Sequence, residues 1–390
     1  MKKHSFITII FFLITLLLFF GCSNPSTEDV GAGLTGLYSS LDSKDEEELI
    51  VSDSESNSNS DSGSDSDMDS DLEEDLEEDL EEEELETPVI EPLMAEFLSA
   101  RFVSEMEIEF EFSSPVTVVS LSFEPSIEVD TVEEGSTVKV SLEEEPPPAM
   151  QLKVELVAED EWENAITVDV PLISKNSRIP ELQINELRTE YSNPKVEFIE
   201  FKILSDGNLG ALRVFVAGNY KNPMVYEFAP VEVLAGDYVV LHMRTIEDKC
   251  VDEYGENLDE SGGTDSCPTA RDFWVPSITK MLHKTDAVYV LDQDDNVLDA
   301  VMFSEKPDPS WGKAYLAEAA EFLFGKGAWA SPFGEICSPD EAVDSSNIKT
   351  SLTRSISRDE TAENTKSSVD WYVTANSGVT PGLPNNPLRF

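Results

Sequence analysis

The chain has 390 residues, 40% of them hydrophobic, and carries 80 Asp and Glu against 26 Lys and Arg, for a formal net charge of -54. That length accommodates two or three domains with buried cores. The charge excludes a nucleic-acid partner, because phosphate backbones are bound by Lys and Arg that displace counterions, and it leaves any membrane attachment to a hydrophobic segment or a lipid.

Residues 1–22 read as an export signal. Lys2 and Lys3 precede an apolar run from Phe6 to Phe20, built of Phe, Ile, Leu and two Thr, that ends at Gly21-Cys22. A basic start, a short apolar core and a small residue before the cut are the parts of a secretory leader. The run is about 15 residues, short of the ~20 that span a bilayer as a helix. Its end, Leu18-Phe19-Phe20-Gly21-Cys22, resembles the relaxed lipobox of spirochaete lipoproteins. The resemblance implies a bacterial lipoprotein with Cys22 as its lipid-modified first mature residue. It would sit in the cell membrane or outer membrane, facing the periplasm or the cell exterior, with the membrane as a partner through the lipid. An ordinary cleaved signal with an incidental Cys is the alternative.

Residues 23–87 form a Ser/Asp/Glu-rich stretch in which Lys44 is the lone base and Cys, Trp and Phe do not occur. Low hydrophobicity with high like charge cannot offset ordering entropy, so a disordered tether is expected. Ser52 to Asp71 is a Ser-Asp run, and Asp71 to Glu82 repeats Asp-Leu-Glu-Glu three times. Leu72, Leu76 and Leu80 would share a helix face, but the carboxylates around them repel at helical spacing, which favours coil. A loose calcium association is the sharper use of such a segment, although no fixed ligand geometry is visible.

Residues 88–176 alternate apolar and polar side chains over short runs: Met106 to Phe112, Val116 to Phe123, Ser126 to Val132, Ser136 to Leu142 and Gln151 to Val157. Alternation predicts half-buried strands. Turns are expected at Ser113-Ser114-Pro115, Glu133-Glu134-Gly135 and Pro146-Pro147-Pro148. The pattern predicts a small antiparallel sandwich. Leu152 to Val170 is similar to the last hairpin of bacterial Ig-like modules, without the Gly usual before Asn164.

Residues 177–390 carry a second set of landmarks. Leu182-Gln-Ile-Asn-Glu-Leu187 is followed by Val196-Glu-Phe-Ile-Glu-Phe201, Gly236-Asp-Tyr-Val-Val-Leu241, the hairpin pattern Asp286 to Val301, Ser351-Leu-Thr-Arg354, Asp370-Trp371 and Thr380-Pro-Gly-Leu-Pro-Asn385. In this order the segments resemble the lamin tail domain. That resemblance implies an Ig-like β-sandwich, in which the first two segments pair as strands. The expected fold class is therefore all-β: tandem antiparallel β-sandwiches, an Ig-like module and then a lamin-tail-type one, behind the disordered acidic linker. Bacterial domains of this family accompany secreted or membrane-bound modules and supply adhesion or docking. The expected function is a lipid-anchored, non-enzymatic display protein of the cell envelope that docks a protein, glycan or envelope ligand. The alternative is an accessory module of an extracellular nuclease or phosphoesterase system.

Two stretches depart from the family as insertions, 247–272 and 307–347. Cys250 and Cys267 flank a loop in the first. Outside the cytosol such a pair reads as a disulfide worth about 3 kcal/mol, with Cys337 left free and the other pairings open. The second insertion holds Trp311, Trp329, Cys337 and the Ala-rich stretch from Ala314 to Phe324, which predicts a helix. Long loops are often functional, so Trp311 and Trp329 are the candidate ligand-binding anchors, against the reading of both insertions as variable decoration.

Catalytic and metal patterns are sparse. His4 leaves with the signal, while His242 and His283 stand in no zinc-ligand spacing, and His242 at a strand end reads as structural. There is no G-x-S-x-G elbow, and neither a cofactor nor a metal is expected. Asp292-Gln-Asp-Asp-Asn296 has the first oxygen spacings of a calcium loop but lacks its Gly and closing Glu, so a hairpin turn is expected there. Trp162, Trp274, Trp311, Trp329 and Trp371 could form a sugar-stacking face, against core packing as the default for each and above all for Trp371.

Overall fold

A computed structural model of the chain describes residues 94–390; the export signal, Cys22 and the segment 23–87 lie outside the described residues. The chain is all-β, with one α-helix among the described residues. Its two largest hydrophobic clusters divide it into two modules.

The first module is built from β1 (Phe97–Phe102), β2 (Glu107–Glu124), β3 (Val129–Glu133), β4 (Gly135–Leu142), β5 (Gln151–Asp160) and β6 (Ala165–Ile173). All of its pairings are antiparallel. Alternation places Ile108, Phe110 and Phe112 in the core and leaves Glu107, Glu109 and Glu111 less buried. The expected turn at Ser113-Ser114-Pro115 is absent. β2 runs through it and changes partner, pairing with β1 and β4 in its first half and with β5 in its second. Pro115 has no N–H to give a ladder, and Ser113 instead exchanges two hydrogen bonds with the backbone of Glu96, which keeps the chain extended. One strand thus joins the two halves of a single six-stranded sheet, ordered β3-β4-β2-β5-β6 with β1 also paired to β2. Phe110, Val138 and Val140 from one meet Val154, Leu156 and Val168 from the other in a single core.

The second module contains β7 (Leu182–Arg188), β8 (Phe198–Ile203), β9 (Gly207–Asn208), β10 (Arg213–Val216), β11 (Met224–Glu227), β12 (Glu232–Val233), β13 (Tyr238–His242) and β14 (Arg271–Trp274). After these come β15 (Asp286–Leu291), β16 (Val297–Ser304), helix α1 (Ala314–Gly325), β17 (Val343–Asp344), β18 (Ile356–Arg358) and β19 (Trp371–Val373). One sheet has the order β14-β13-β8-β7-β18-β19, the other β11-β10-β15-β16-β17, and β9 pairs with β12. Their inner faces, including Ile199, Phe201 and Leu241 on one side and Val214, Val288 and Val301 on the other, share one core. The expected pairing of the first two segments is seen in β7 and β8, and Asp286 to Val301 forms the β15–β16 hairpin.

The second insertion is part of this sandwich and not a free loop. Leu316, Ala319, Ala320 and Leu323 line the buried face of α1, and β17 adds a parallel edge strand to β16. Trp329 is 1% exposed and belongs to the core, so it cannot serve as a surface anchor. Trp311 is half-buried and donates its indole N–H to the Cys337 carbonyl at 2.8 Å. The sequence of the insertion is apolar because it completes a core. Trp162, by contrast, is exposed on the β5–β6 hairpin, contrary to the core reading.

That hairpin and the β15–β16 hairpin use the same turn. Asp160 accepts the N–H groups of Trp162 and Asn164 and the Asn164 side-chain amide; Asp292 accepts the N–H groups of Asp294 and Asn296 and the Asn296 side-chain amide. The fourth residue is left-handed in both, Glu163 at φ 63° and Asp295 at φ 58°. The calcium-like spacing at Asp292 is therefore a turn whose first carboxylate is filled by backbone donors. Glycine is the residue that adopts this φ without penalty. Glu163→Gly should stabilise the protein by about 1 kcal/mol, read as a raised denaturant midpoint with unchanged slope.

Residues 174–178 pin the modules together. Asn176, 6% exposed, donates its side-chain amide to the carbonyls of Asn208 and Gly210, each at 2.8 Å, and accepts the Arg178 N–H. Gln293 bridges the Asn176 N–H and the Ser174 carbonyl, and Lys175 pairs with Asp294. Asn176→Ala would strand two carbonyls and should cost about 2–3 kcal/mol. Calorimetry should show the transitions of the modules drawing apart.

Candidate functional site

The outer face of the six-stranded sheet carries a row of acids where alternation alone would predict solvent. A bulge between Ile184 and Glu186 keeps Leu187 in the core and turns Glu186 outward, directly opposite Glu200 on β8. Like charges placed opposite in a sheet repel. Here both carboxylates are fully buried beneath the C-terminal segment Thr380–Asn385. The Thr380 N–H donates to Glu186 Oε2 at 3.0 Å, the Gly382 N–H to Glu200 Oε2 at 2.6 Å and the Asn385 N–H to Glu360 Oε1 at 2.8 Å. Ser355 also donates to Glu186, Asn185 to Glu200, and Lys202 to Glu360. The segment is thus a strap held by backbone amides, three of them on three carboxylates. Gly382 has φ +73°, and a Cβ there would run into Cys267 Sγ.

Burial pushes the Glu186 carboxyl up to about 7, against the pull of Ser355, the Thr380 N–H and Arg188. Burial and then the charge of Glu186 raise Glu200 well above the usual range. Near neutrality the pair therefore holds a proton. Its oxygens are shared between the strap, on Glu186 and on Glu200 Oε2, and the side chains of Ser355 and Asn185, on Glu186 Oε1 and Glu200 Oε1.

The first insertion is closed on itself by the same kind of bond. Glu253 accepts the N–H groups of Ser261 and Asp272, Asp252 those of Trp274 and the Tyr226 and Tyr254 hydroxyls, and Glu247 that of Thr264. Its end forms β14, parallel to β13. Among the described residues Cys250, Cys267 and Cys337 are free thiols, which corrects the expected disulfide between Cys250 and Cys267. Cys267 Sγ turns under the strap to the Pro381 carbonyl at 3.0 Å, while the Cys250 thiol lies beside Gly263 and Trp274. Burial pushes both thiols up, so neither is primed as a thiolate.

His242 is buried, stacked on Trp274 with ring centroids 3.9 Å apart, and its Nε2–H donates to Asp272 Oδ1 at 2.9 Å. Asp272 Oδ2 accepts the Cys267 N–H at 2.6 Å. This is the structural histidine that its strand-end position suggested. His283 is half-exposed beside Asp286, whose oxygens also accept the N–H groups of Gly218 and Ala287. No cluster of His, Cys, Asp and Glu among the described residues is arranged to hold a metal ion.

A cleft of about 300 Å³ opens where the two sheets end, between β17 and β19. Its walls include Asp344, Asn347, Trp371, Arg389 and Phe390. Trp371, expected to be core, is 6% exposed and does pack in the core while forming one wall. Arginines lie on the rings around it: Arg358 over Trp371 at 4.5 Å, Arg389 over Tyr372 at 4.6 Å and Arg354 over Phe390 at 3.8 Å. The sequence reading missed both the cleft and the acid row. The available signal was the lettering of its own motifs, since Glu186, Glu200 and Arg354 are motif positions without a partner nearby in sequence.

These features define an all-β protein of two joined modules, the second closed by a strap over buried acids. Residues 180–373 match the family model TP_1001_2nd, described as "protein second domain". An uncharacterized protein of Treponema pallidum (strain Nichols) is 24% identical over 249 residues, 62% of this chain and 63% of that protein. The chain thus spans less than two thirds of that relative's length. The crystal structure of a DUF4876 family protein from Bacteroides thetaiotaomicron VPI-5482 is similar over 68% of this chain and 86% of that one, with 12% identity and a TM-score of 0.24.

The strap gives a pH dependence of defined sign. Glu186 is raised from an ordinary unfolded value to about 7, so its contribution to stability is complete below about 4.5 and is lost as pH rises through 7. The thermal midpoint should fall as pH rises from about 4.5 to 7. Glu186→Gln, which mimics the protonated form, should flatten that fall by several degrees; an unchanged slope in the variant would assign the dependence to other groups.

Proposed function

We propose that the chain is a non-enzymatic display protein of a bacterial cell envelope. A lipid on Cys22 anchors it, the acidic segment 23–87 spaces it from the membrane, and the second module, a lamin-tail-type sandwich, docks a protein, glycan or envelope component. The observation that carries this reading is how the chemistry-bearing side chains are used. Glu186, Glu200, Asp272 and His242 are buried and bonded within the fold, so the groups best suited to acid–base work are spent on architecture. The pinned junction at Asn176 supports the same reading, because a joint filled with buried hydrogen bonds carries the second module as a fixed extension of the first. The order of the lamin-tail motifs and the relaxed lipobox supply the rest.

Anchoring is the part most directly tested. Cys22→Ala should remove the lipid and move the protein from the detergent phase to the aqueous phase on temperature-induced phase separation. Unchanged partition of the variant would refute lipidation at this residue.

A further inference from the structure

We propose that the strap Thr380–Asn385 is a pH latch: closed in acid over the outer face of the six-stranded sheet, it lifts toward neutral pH and uncovers the Cys267 thiol with the apolar patch around it. The patch is small and separate from the main core. Phe198, Val240, Cys267 and Ala270 form it, with Tyr238 and Val379 packed against it. The strap lies directly on it, since the Cys267 thiol donates to the Pro381 carbonyl at 3.0 Å and a Cβ on Gly382 would run into the same sulfur.

The strap is held by polar bonds and not by a core. Among the described residues, none from 380 to 390 belongs to a hydrophobic cluster, and Leu383 is 49% exposed. The Thr380 and Gly382 N–H groups go to Glu186 and Glu200, whereas the far end is tied apart from that pair, by the Asn385 side-chain amide on the Asn185 and Arg358 carbonyls at 2.9 Å each. A segment with so few apolar contacts opens locally at a lower cost than the sheet beneath it. Lifting its middle therefore leaves the sandwich intact.

What the strap closes on is a pair of acids that repel when both are charged. Glu186 and Glu200 lie opposite in the ladder and are fully buried, and the strap brings only uncharged side chains to them. The charged groups of the surrounding strands are engaged with other partners: Arg188 with Asp265, Lys202 with Glu360, His242 with Asp272 and Arg358 with Asp299. Burial pushes the Tyr238 and Tyr372 hydroxyls up, so both stay neutral, and the Cys267 thiol is raised in the same way. Among the described residues no cation bonds either carboxylate. A lifted strap admits water, in which both acids ionise at ordinary values, so loss of a proton favours the open state. With Glu186 raised from 4.5 to about 7, closure is complete below the first value, weakens as pH rises to the second and changes no further above it.

The test is hydrogen exchange on the full-length chain in detergent, read as protection factors so that the intrinsic pH dependence of exchange is divided out. Between about pH 5 and pH 7 the Thr380 and Gly382 amides should lose at least about tenfold in protection, while Ile199 and Phe201 on β8 keep theirs. Glu186→Gln should hold the strap's protection level over the same range. Alkylation of Cys267 by N-ethylmaleimide, measured by peptide mass spectrometry as a ratio to Cys250 in the same sample, should rise in step with the loss of protection. Constant protection of the strap, an equal loss on β8, a constant alkylation ratio, or an undiminished fall in Glu186→Gln would each overturn the proposal. The first three are read on the unaltered chain, so the latch can be refuted even where the variant does not fold.

Discussion

The bond on which this structure depends is the backbone amide donated to a buried or half-buried carboxylate. A chain with 80 acids and 26 bases cannot answer each acid with a cation. It answers many with N–H groups instead: Asp160 and Asp292 close hairpins, Glu253 and Asp252 fold the first insertion, Asp286 ties the start of β15, and Glu186 and Glu200 hold the strap. Amide-to-carboxylate bonds are charge-assisted, stronger than neutral ones, and keep a carboxylate satisfied out of water. The few bases that are buried go where geometry demands a fork, as in the two bonds from Arg244 to Glu197 at 2.6 and 2.7 Å.

This division of labour separates the two ends of the second module. On the outer sheet face acids face inward under a strap and are closed to solvent. At the sandwich edge arginines lie on aromatic rings instead and are paired in their turn, Arg358 with Asp299, Arg389 with Asp359 and Arg354 with Asn376.

Much of the fold was legible. Alternation marked the core of β2, β4 and β5, and Ala-rich composition marked α1. What was illegible followed from long-range partners. Ser113-Ser114-Pro115 has the letters of a turn, but Glu96 lies alongside to keep it extended. Trp329 in an insertion has the letters of an exposed anchor, yet it lies in the core that α1 helps to close. Two cysteines at the ends of a loop suggest a bridge, but one is held by the strap more than a hundred residues away. The cleft could not be read at all, since its walls come from segments that meet only when both sheets run out together.

The length of β2 has a mechanical consequence. Its two halves pair with different neighbours, so sliding either half of the sheet by one residue would drag the same strand through the other and exchange inner for outer side chains in both. The breaks in pairing between Glu111 and Val116 and between Val118 and Ser120 act as phase offsets that let each half of the sheet keep its own register. The first module is consequently geared: the two halves of its sheet share one spindle, and neither can shear without turning the other.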